Sequence, residues 1–387
     1  MARSSFPLVL LASLSFLACS DDNGPNQPTP AQLAQGQQTF RFDTFGDESF
    51  WTDTLRMHEV VTAAVSPVTA LSVGLKVDAD ALPPGTLESA DLNSPATTVA
   101  LLKLNAVVGL KGTVETINGK DTLTHLGITC ALCHSTVNNS VQPGIGSRLD
   151  GWPNLDLNVG AIVALSPALT DAQRAVYNSW GPGKYDARYN FDGQNDPAMI
   201  PPAYGLAGVN SVTYTGDGDR IAYWNRYVAV TQMHGHGSFS EPRLGITVVN
   251  PPDQVETKLP DLESYQLSLE APAPAPGDFD ATAAARGQAV FTGQGQCATC
   301  HSGAQFTDAN TTLHPTSEVI TDPTHAERSA TGMYRTTPLR GLLQHAPYFH
   351  DGSAATLDDV VNQYDSAKNL QLTPQQKADL VEYLKSL

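Results

Sequence analysis

Basic side chains and long apolar runs are both scarce in this sequence of 387 residues. The chain has 22 Lys and Arg against 39 Asp and Glu, and its formal charge of −17 argues against nucleic acid as a partner. It favours a basic protein partner, although an acidic surface kept for solubility explains the charge equally well. One apolar run, from Phe6 to Leu17, is too short to span a bilayer as a permanent helix, and no second run resembles a transmembrane segment.

The first residues have the pattern of an export signal. Residues 1–18 contain Arg3 and the apolar run, and Cys19 follows them, which indicates a lipoprotein signal peptide. Phe16 departs from the aliphatic residue that is usual three positions before such a cysteine. We expect Cys19 to become the lipidated N-terminus of an exported, periplasm-facing protein held to a membrane by its lipid. Ser20 follows the cysteine in place of an aspartate, which favours the outer membrane over the inner one.

Cysteine is scarce too, and four of the five cysteines fall in two copies of a Cys-x-x-Cys-His pattern. We call residues 130–134 the first motif and residues 297–301 the second motif. Two thiols three positions apart can each bond one vinyl group of a porphyrin, and the adjacent imidazole can then bind the iron. Zinc binding and a redox dithiol are the alternatives, but export, the repetition and the cysteine count favour two covalently attached haem c groups. The predicted attachment residues are Cys130, Cys133, Cys297 and Cys300, and the predicted proximal iron ligands are His134 and His301.

Two segments rich in proline divide the chain. They predict a flexible tether at 19–38 and a stiff linker at 268–279. The first haem c domain then covers 39–267 and the second covers 280–387. Residues 260–269 are similar to 378–387, and 214–218 to 348–352, in the same order as the motifs. This indicates a diverged internal repeat with insertions in the first copy.

Capping residues predict the helices around both motifs. Asp280 precedes a helix over 281–291, and Thr356 and Thr373 precede two later helices. In the first copy, Thr170 precedes another helix. The helix after Thr356 carries an inward apolar stripe that ends at Tyr364.

Residues 337–342, 346–353 and 355–361 resemble the C-terminal signature of the bacterial di-haem cytochrome c peroxidases. That family includes relatives that mature the tryptophan-derived cofactor of methylamine dehydrogenase. The close match covers about 288–387, and the first half is matched only by its haem motif and the weak repeat. The resemblance implies a mainly α fold of two class-I-like cytochrome c domains, with long loop insertions in the first. It also implies that one haem stores or relays an electron and that the other meets peroxide.

The resemblance implies roles for several residues near the second motif. The peroxidases have a methionine ligand in the helix after their His-Asp-Gly motif, and the maturation relatives have a tyrosine, a position that Tyr364 occupies here. Met333 is the main competing ligand, and Tyr364 is otherwise only the last residue of an apolar stripe. His350 is expected near the haem edge as a catalytic group for hydrogen bonding or gating; the alternative is a core histidine. Arg340 is expected to pair with a haem propionate or to form an ordinary surface salt bridge.

The first motif departs from the family pattern. Gly216 replaces the histidine of the second copy, and no glutamate occurs between Cys130 and Ser240. A general acid-base group there would have to be an aspartate, Gln232 or a histidine. The candidates for the distal iron ligand are His58, Met233, His234 and His236, each of which is otherwise a core or surface residue.

Aromatic and acidic residues near the first motif suggest two further roles. Trp152 and Trp180 follow this motif, and either stands between the haems or packs in a core. Calcium is possible but no loop motif supports it. The clustered acids considered for calcium are Asp150, Asp156 and Asp192.

The sequence therefore supports two functions. The first is a peroxidase-like oxidoreductase that transfers electrons between its haems. The alternative is a non-enzymatic electron-transfer cytochrome whose two irons are both six-coordinate. Either would use a small redox protein, such as a basic cytochrome, as electron donor or acceptor.

Overall fold

The computed structural model of the protein describes residues 27–387. The predicted signal segment, Cys19 and the first part of the predicted tether lie outside the described residues. About 40% of the described residues are helical and 14% are in strands, so helix predominates. Within residues 27–387, no helix combines the length and the apolar character needed to cross a membrane.

Helices occur before and after each motif in the chain, and irregular segments and short strands connect them. The helices of the first half are α1 (Pro30–Phe42), α2 (Met57–Ala64), α3 (Pro67–Ser72), α4 (Thr86–Ser89), α5 (Pro95–Lys103), α6 (Ala131–His134), α7 (Val159–Ala164), α8 (Asp171–Asn178), α9 (Tyr189–Asp192), α10 (Ile221–Tyr227) and α11 (Leu259–Leu267). Those of the second half are α12 (Ala281–Thr292), α13 (Thr324–Glu327), α14 (Leu357–Lys368) and α15 (Pro374–Lys385). Two π-helical segments, Ser49–Thr54 and Val228–Gln232, belong to the first half.

The strands form two-stranded pairs and no larger sheet in the described part of the chain. The strands are β1 (Val77–Asp78), β2 (Leu110–Ile117), β3 (Lys120–Ile128), β4 (Ser135–Val137), β5 (Ile145–Gly146), β6 (Arg148–Asp150), β7 (Lys184–Tyr185), β8 (Ala198–Met199), β9 (Gly237–Glu241), β10 (Ile246–Asn250), β11 (His314–Pro315) and β12 (Met333–Tyr334). β1 pairs with β5 in parallel. The antiparallel pairs are β2 with β3, β4 with β6, β7 with β8, β9 with β10 and β11 with β12.

Side-chain caps determine where several helices begin. Thr29, Thr170, Thr356 and Thr373 each form a capping box, in which the threonine accepts a backbone N–H and the third helical residue bonds back to it. Asp280 caps α12 by accepting two backbone N–H groups. The helices predicted to follow Thr170, Asp280, Thr356 and Thr373 are therefore confirmed.

Two expectations about the first half require correction. α1 begins at Pro30, inside the segment 19–38 that the composition assigned to a flexible tether. The fully buried Phe40 anchors this helix in a core. The long insertions are also not simply loops, because residues 43–129 contain α2 to α5 and the hairpin of β2 and β3.

The same helix crossing occurs in each half. α1 packs against α11, and α12 packs against α15. A Cβ atom on Gly36 would lie 2.0 Å from the carbonyl oxygen of Asp261, and one on Gly287 would lie 2.0 Å from that of Asp379. Only glycine permits so close an approach of two helices. Asp261 and Asp379 are equivalent in the sequence repeat, so the repeat corresponds to one such crossing in each half.

The apolar cores place both motifs inside the protein. In the first half, Cys133 packs against one core and Cys130 against another, so the first motif lies where two cores meet. In the second half a single core contains Phe291, Val361 and Leu380, and the second motif packs against it through Cys297.

Candidate haem sites

A cavity of about 440 Å³ lies beside the second motif, and we call it the haem cavity. Its wall includes Cys297, Cys300, His301 and Tyr364. This volume falls in the range of small-molecule and cofactor sites, about 300–1,000 Å³. The two thiols, the imidazole and the phenol are the groups that attach a haem c and bind its iron.

His301 is prepared as an iron ligand by a backbone contact. Its Nδ1 lies 3.2 Å from the carbonyl oxygen of Phe306, which can only accept a hydrogen bond. Burial lowers the pKa of His301, which favours the neutral ring. With the proton on Nδ1, Nε2 carries the free electron pair that an iron requires.

Tyr364 and Met333 differ clearly in their positions. Tyr364 lies on α14 and lines the haem cavity, and burial raises the pKa of its phenol to about 12. Met333 lies on β12, is 39% exposed, and is not among the residues that line the cavity. The geometry therefore favours Tyr364 over Met333 as a ligand for an iron bound in this cavity.

The cavity also holds polar groups that lack partners. Among the described residues, one buried polar atom finds no hydrogen-bond partner in each of Tyr204 (Oη), Arg335 (Nε), Arg340 (Nε) and His345 (Nε2). All four residues line the haem cavity. Buried polar groups are normally paired, so this wall fits a cofactor that carries polar or charged groups of its own. A haem with two propionates meets that requirement.

His350 is buried at the edge of the haem cavity. Its Nδ1 lies 2.9 Å from the hydroxyl of Thr321, and its Nε2 lies 3.4 Å from the hydroxyl of Tyr334. The ring stacks on His325 at 5.2 Å, and burial lowers the pKa of both histidines. Both ring nitrogens of His350 thus have protein partners.

The first motif is buried in a similar manner. His134 Nδ1 lies 3.1 Å from the carbonyl oxygen of Pro201, which leaves Nε2 free for a metal. Burial lowers the pKa of His134 to about 4 and raises that of Cys133 to about 12. Both residues nevertheless keep partly accessible surface.

The candidate distal ligands of the first motif lie in different surroundings. Met233 is 2% exposed and belongs to the core that also contains Cys130. His234 stacks on Phe50 at 3.7 Å, and His236 Nδ1 lies 3.0 Å from the Pro251 carbonyl oxygen. His58 lies on α2, where its Nδ1 has no partner in the described part of the chain. Met233 therefore shares a core with the first motif.

Sequence reasoning missed Tyr185 beside the first motif. Its hydroxyl donates to Gln232 Oε1 at 2.5 Å. Burial, and then the proximity of Tyr227 and Cys133, raise the pKa of Tyr185. Tyr185 and Gln232 are 47 positions apart, so no local pattern pairs them.

Residues between the two motifs connect the sites. Pro201 accepts from His134 and also lines the haem cavity. Trp152 follows the first motif, and its ring meets that of Tyr204, another cavity residue, at 5.9 Å. Trp180 is 4% exposed in a core and bonds Asn195. Of the two tryptophans, Trp152 therefore lies on the side that faces the haem cavity.

The calcium and zinc alternatives receive no support from the described residues. Asp150, Asp156 and Asp192 each pair with a cation of their own, namely Arg41, Lys76 and Arg328. In residues 27–387, the one group with metal-binding spacing is Cys300, Asp308 and His314, and it includes neither Cys297 nor His301. Within the described residues, neither motif brings its two cysteines and its histidine into one such group.

Comparisons with known proteins agree with this chemistry. Residues 284–387 match the cytochrome c family. The methylamine utilization protein MauG of Methylorubrum extorquens is 31% identical over 151 residues, which are 33% of this chain and 42% of MauG. The cytochrome-c peroxidase IdrP1 of Denitromonas iodatirespirans is 30% identical over 149 residues, which are 27% of this chain and 40% of IdrP1. The chain is therefore similar in part to the cytochrome c peroxidases and to the MauG-like proteins.

These similarities confirm the resemblance predicted from the C-terminal motifs. The chain spans about two fifths of the length of these two relatives, 42% and 40%. The matched cytochrome c residues contain the second motif, His350 and Tyr364, which supports haem c at the second motif. The first motif lies outside them.

Solved structures give weaker similarities. Hydrazine synthase of Kuenenia stuttgartiensis is 21% identical with a TM-score of 0.33, over 50% of this chain and 73% of that chain. A MauG-like protein associated with microbial copper homeostasis is 23% identical with a TM-score of 0.27, over 35% and 54%.

Proposed function

We propose that the protein is an exported di-haem c-type cytochrome that acts as a peroxidase-like oxidoreductase and transfers electrons between its two haems. The observation that carries this proposal is the contact between the sites. His134 of the first motif bonds Pro201, and Pro201 lines the haem cavity of the second motif. A proximal ligand of one haem would thus be one residue away from the surroundings of the other.

The two haem sites would have different roles. A bound haem supplies one-electron redox chemistry, tuned by its axial ligands and surroundings. His301 and Tyr364 would hold the iron of the second haem and close that site to peroxide, and a phenolate ligand would stabilise the ferric state. We expect peroxide to react at the first site, where Tyr185 and Gln232 lie.

Proton transfer at the first site would differ from that of a site with a carboxylate. Gln232 accepts from Tyr185 and donates to Thr231 Oγ1 at 3.0 Å. An amide can orient a bound molecule through hydrogen bonds, but it does not ionise near neutral pH and cannot act as a general base. We therefore expect a slow reaction with peroxide.

Trp152 and Tyr204 would help electrons to pass between the sites. Gly151 N–H donates to the His134 carbonyl oxygen at 2.8 Å, so Trp152 directly follows a residue bonded to the first motif. Its ring meets Tyr204, and Tyr204 meets His345 at 5.8 Å in the wall of the haem cavity. Packed aromatic rings provide a continuous path through the protein.

One observation favours the alternative, a non-enzymatic electron-transfer cytochrome with two six-coordinate irons. Met233 is buried in the core that also contains Cys130. A thioether is a common cytochrome ligand. If Met233 binds the first iron, peroxide has no open position at either site.

A peroxide titration of purified holoprotein separates these functions. We expect peroxide to change the absorption of both haems, although it reaches only the first. A Cys130→Ala/Cys133→Ala variant that keeps the second haem should not react. The matched Cys297→Ala/Cys300→Ala variant should still react at the first haem. No reaction of the wild type would reject the enzyme and leave the transfer protein.

The location and partner form a separate part of the proposal. Cys19 would carry the lipid that holds the protein at the outer membrane, and the acidic surface would receive a small basic redox protein. Cell fractionation of Cys19→Ala should release the protein from the membrane. Salt should weaken the reaction with a basic cytochrome, and an unchanged rate would contradict the electrostatic partner.

A further inference from the structure

The guanidinium of Arg335 lies in the wall of the haem cavity, where its Nε is buried and no carboxylate of the described residues pairs with it. Its Nη1 donates to the carbonyl oxygen of Ser211 at 2.8 Å, and its Nε has no partner among the described residues. By contrast, the buried Arg188 and Arg328 pair with Asp217 and with Asp186. A buried charge is normally paired, because leaving it alone in a low-dielectric interior is strongly unfavourable.

The electrostatics of the arginines agree with this contrast. Burial lowers the pKa of Arg335 to about 10, and only Tyr214 opposes that effect. The carboxylates around Arg328 raise its pKa instead. The surroundings of Arg335 therefore lack one negative charge, and its place in the cavity wall indicates that a ligand supplies it.

Tyr214 lies beside Arg335 and belongs to the first half of the chain. Its carbonyl oxygen accepts the Arg335 N–H at 2.9 Å, and its side chain lines the haem cavity. Burial raises the pKa of the Tyr214 hydroxyl, which therefore stays protonated and can donate a hydrogen bond. An arginine and a tyrosine hydroxyl together provide the donors that a carboxylate accepts.

We propose that Arg335 and Tyr214 bind a propionate carboxylate of the second haem, so that each half of the chain holds the same propionate. This inference rests on the proposed haem at the second motif. The expected propionate contact of Arg340 stays a prediction, because Arg340 donates to the Ala304 carbonyl oxygen and its Nε is also buried without a partner among the described residues.

The positive charge of Arg335 then acts on the redox state of the second haem. A nearby cation disfavours the additional positive charge of ferric iron, so it raises the reduction potential. Arg335→Gln should lower the potential of the second haem and leave that of the first unchanged. Arg335→Lys keeps the charge and should keep most of the potential.

Spectroelectrochemical titration of the purified holoprotein tests the proposal. Lys103→Gln, which removes an exposed cation paired with Asp121, is the control for net charge and should shift neither potential. Tyr214→Phe should shift the second potential less than Arg335→Gln. An unchanged second potential in Arg335→Gln, with both haems bound, would overturn the inference. If the purified wild-type protein carried no haem at the second motif, that result would instead reject the proposed function.

A free anion is the competing occupant, and the same titration distinguishes it. With a propionate in place, the second potential of the wild type should not depend on added phosphate at constant ionic strength. A phosphate-dependent potential that Arg335→Gln abolishes would show that a free anion binds there, and would overturn the propionate assignment.

Discussion

Replacing Gly287 with alanine should force apart the helices α12 and α15. The added Cβ would lie 2.0 Å from the Asp379 carbonyl oxygen and 2.8 Å from Tyr383 Cβ, against 3.4 Å or more in ordinary contacts. Backbone atoms of a packed helix cannot move aside as a flexible side chain can. Overpacking a core costs about 1–3 kcal/mol, and backbone contacts put this site at the upper end.

The intrinsic preference of helices acts in the opposite direction. Alanine stabilises a helix interior by about 1 kcal/mol relative to glycine. The net prediction for Gly287→Ala is therefore a loss of about 2 kcal/mol in the free energy of unfolding. Gly36→Ala should behave alike, because its Cβ would also lie 2.0 Å from a carbonyl oxygen, that of Asp261.

Denaturant unfolding followed by circular dichroism measures this effect. Ala285 is exposed on the same helix, so Ala285→Gly is a matched control and should cost only the propensity term of about 1 kcal/mol. If Gly287→Ala instead stabilised the protein by about 1 kcal/mol, as at an exposed helical site, the close crossing would be refuted.

Three further perturbations follow from the structure. Burial raises the pKa of the Asp47 carboxyl to about 9. The stability that this protonated carboxyl contributes is therefore present below about pH 4 and is lost as the pH rises to 9. Over that range the free energy of unfolding should fall by at most about 1.4 kcal/mol per pH unit. Asp47→Asn should flatten this slope in unfolding experiments from pH 5 to 8, and an unchanged slope would contradict the assignment. Arg328→Gln should cost about 3–5 kcal/mol in the unfolding free energy, because it leaves Asp186 buried without its partner; a loss below 1 kcal/mol would count against this network. Trp152→Phe should slow electron transfer between the haems in stopped-flow experiments while the unfolding free energy stays within about 1 kcal/mol, whereas an unchanged rate would exclude this path.

Local chemistry explains which features the sequence could predict. The helix starts after Thr170, Asp280, Thr356 and Thr373 were predictable, because a cap is a contact between residues two or three positions apart. The capping box of Thr29 was equally visible in the sequence. Because the segment is rich in proline and glutamine, we assigned it to the tether, whose predicted end therefore lies after the observed start of α1.

Contacts between distant segments explain what the sequence could not predict. Arg335 donates a hydrogen bond to Ser211, and Tyr185 donates one to Gln232. Only the folded chain brings the members of these pairs together. Tyr364 and Met333 are both chemically suitable ligands, so the sequence could not rank them without showing which of the two side chains is buried. The structure separates them because Tyr364 lines the haem cavity, whereas Met333 is 39% exposed on β12.

Electron paramagnetic resonance of the ferric holoprotein tests the central claim most directly. The claim is that His301 and Tyr364 both bind the iron of the second haem, whereas the iron of the first haem keeps an open coordination position. We predict one low-spin and one high-spin signal in the wild type. Tyr364→Phe should convert the low-spin signal to a high-spin signal, and Met333→Leu should leave the low-spin signal unchanged. A low-spin signal that survives Tyr364→Phe and is lost in Met333→Leu would contradict the account.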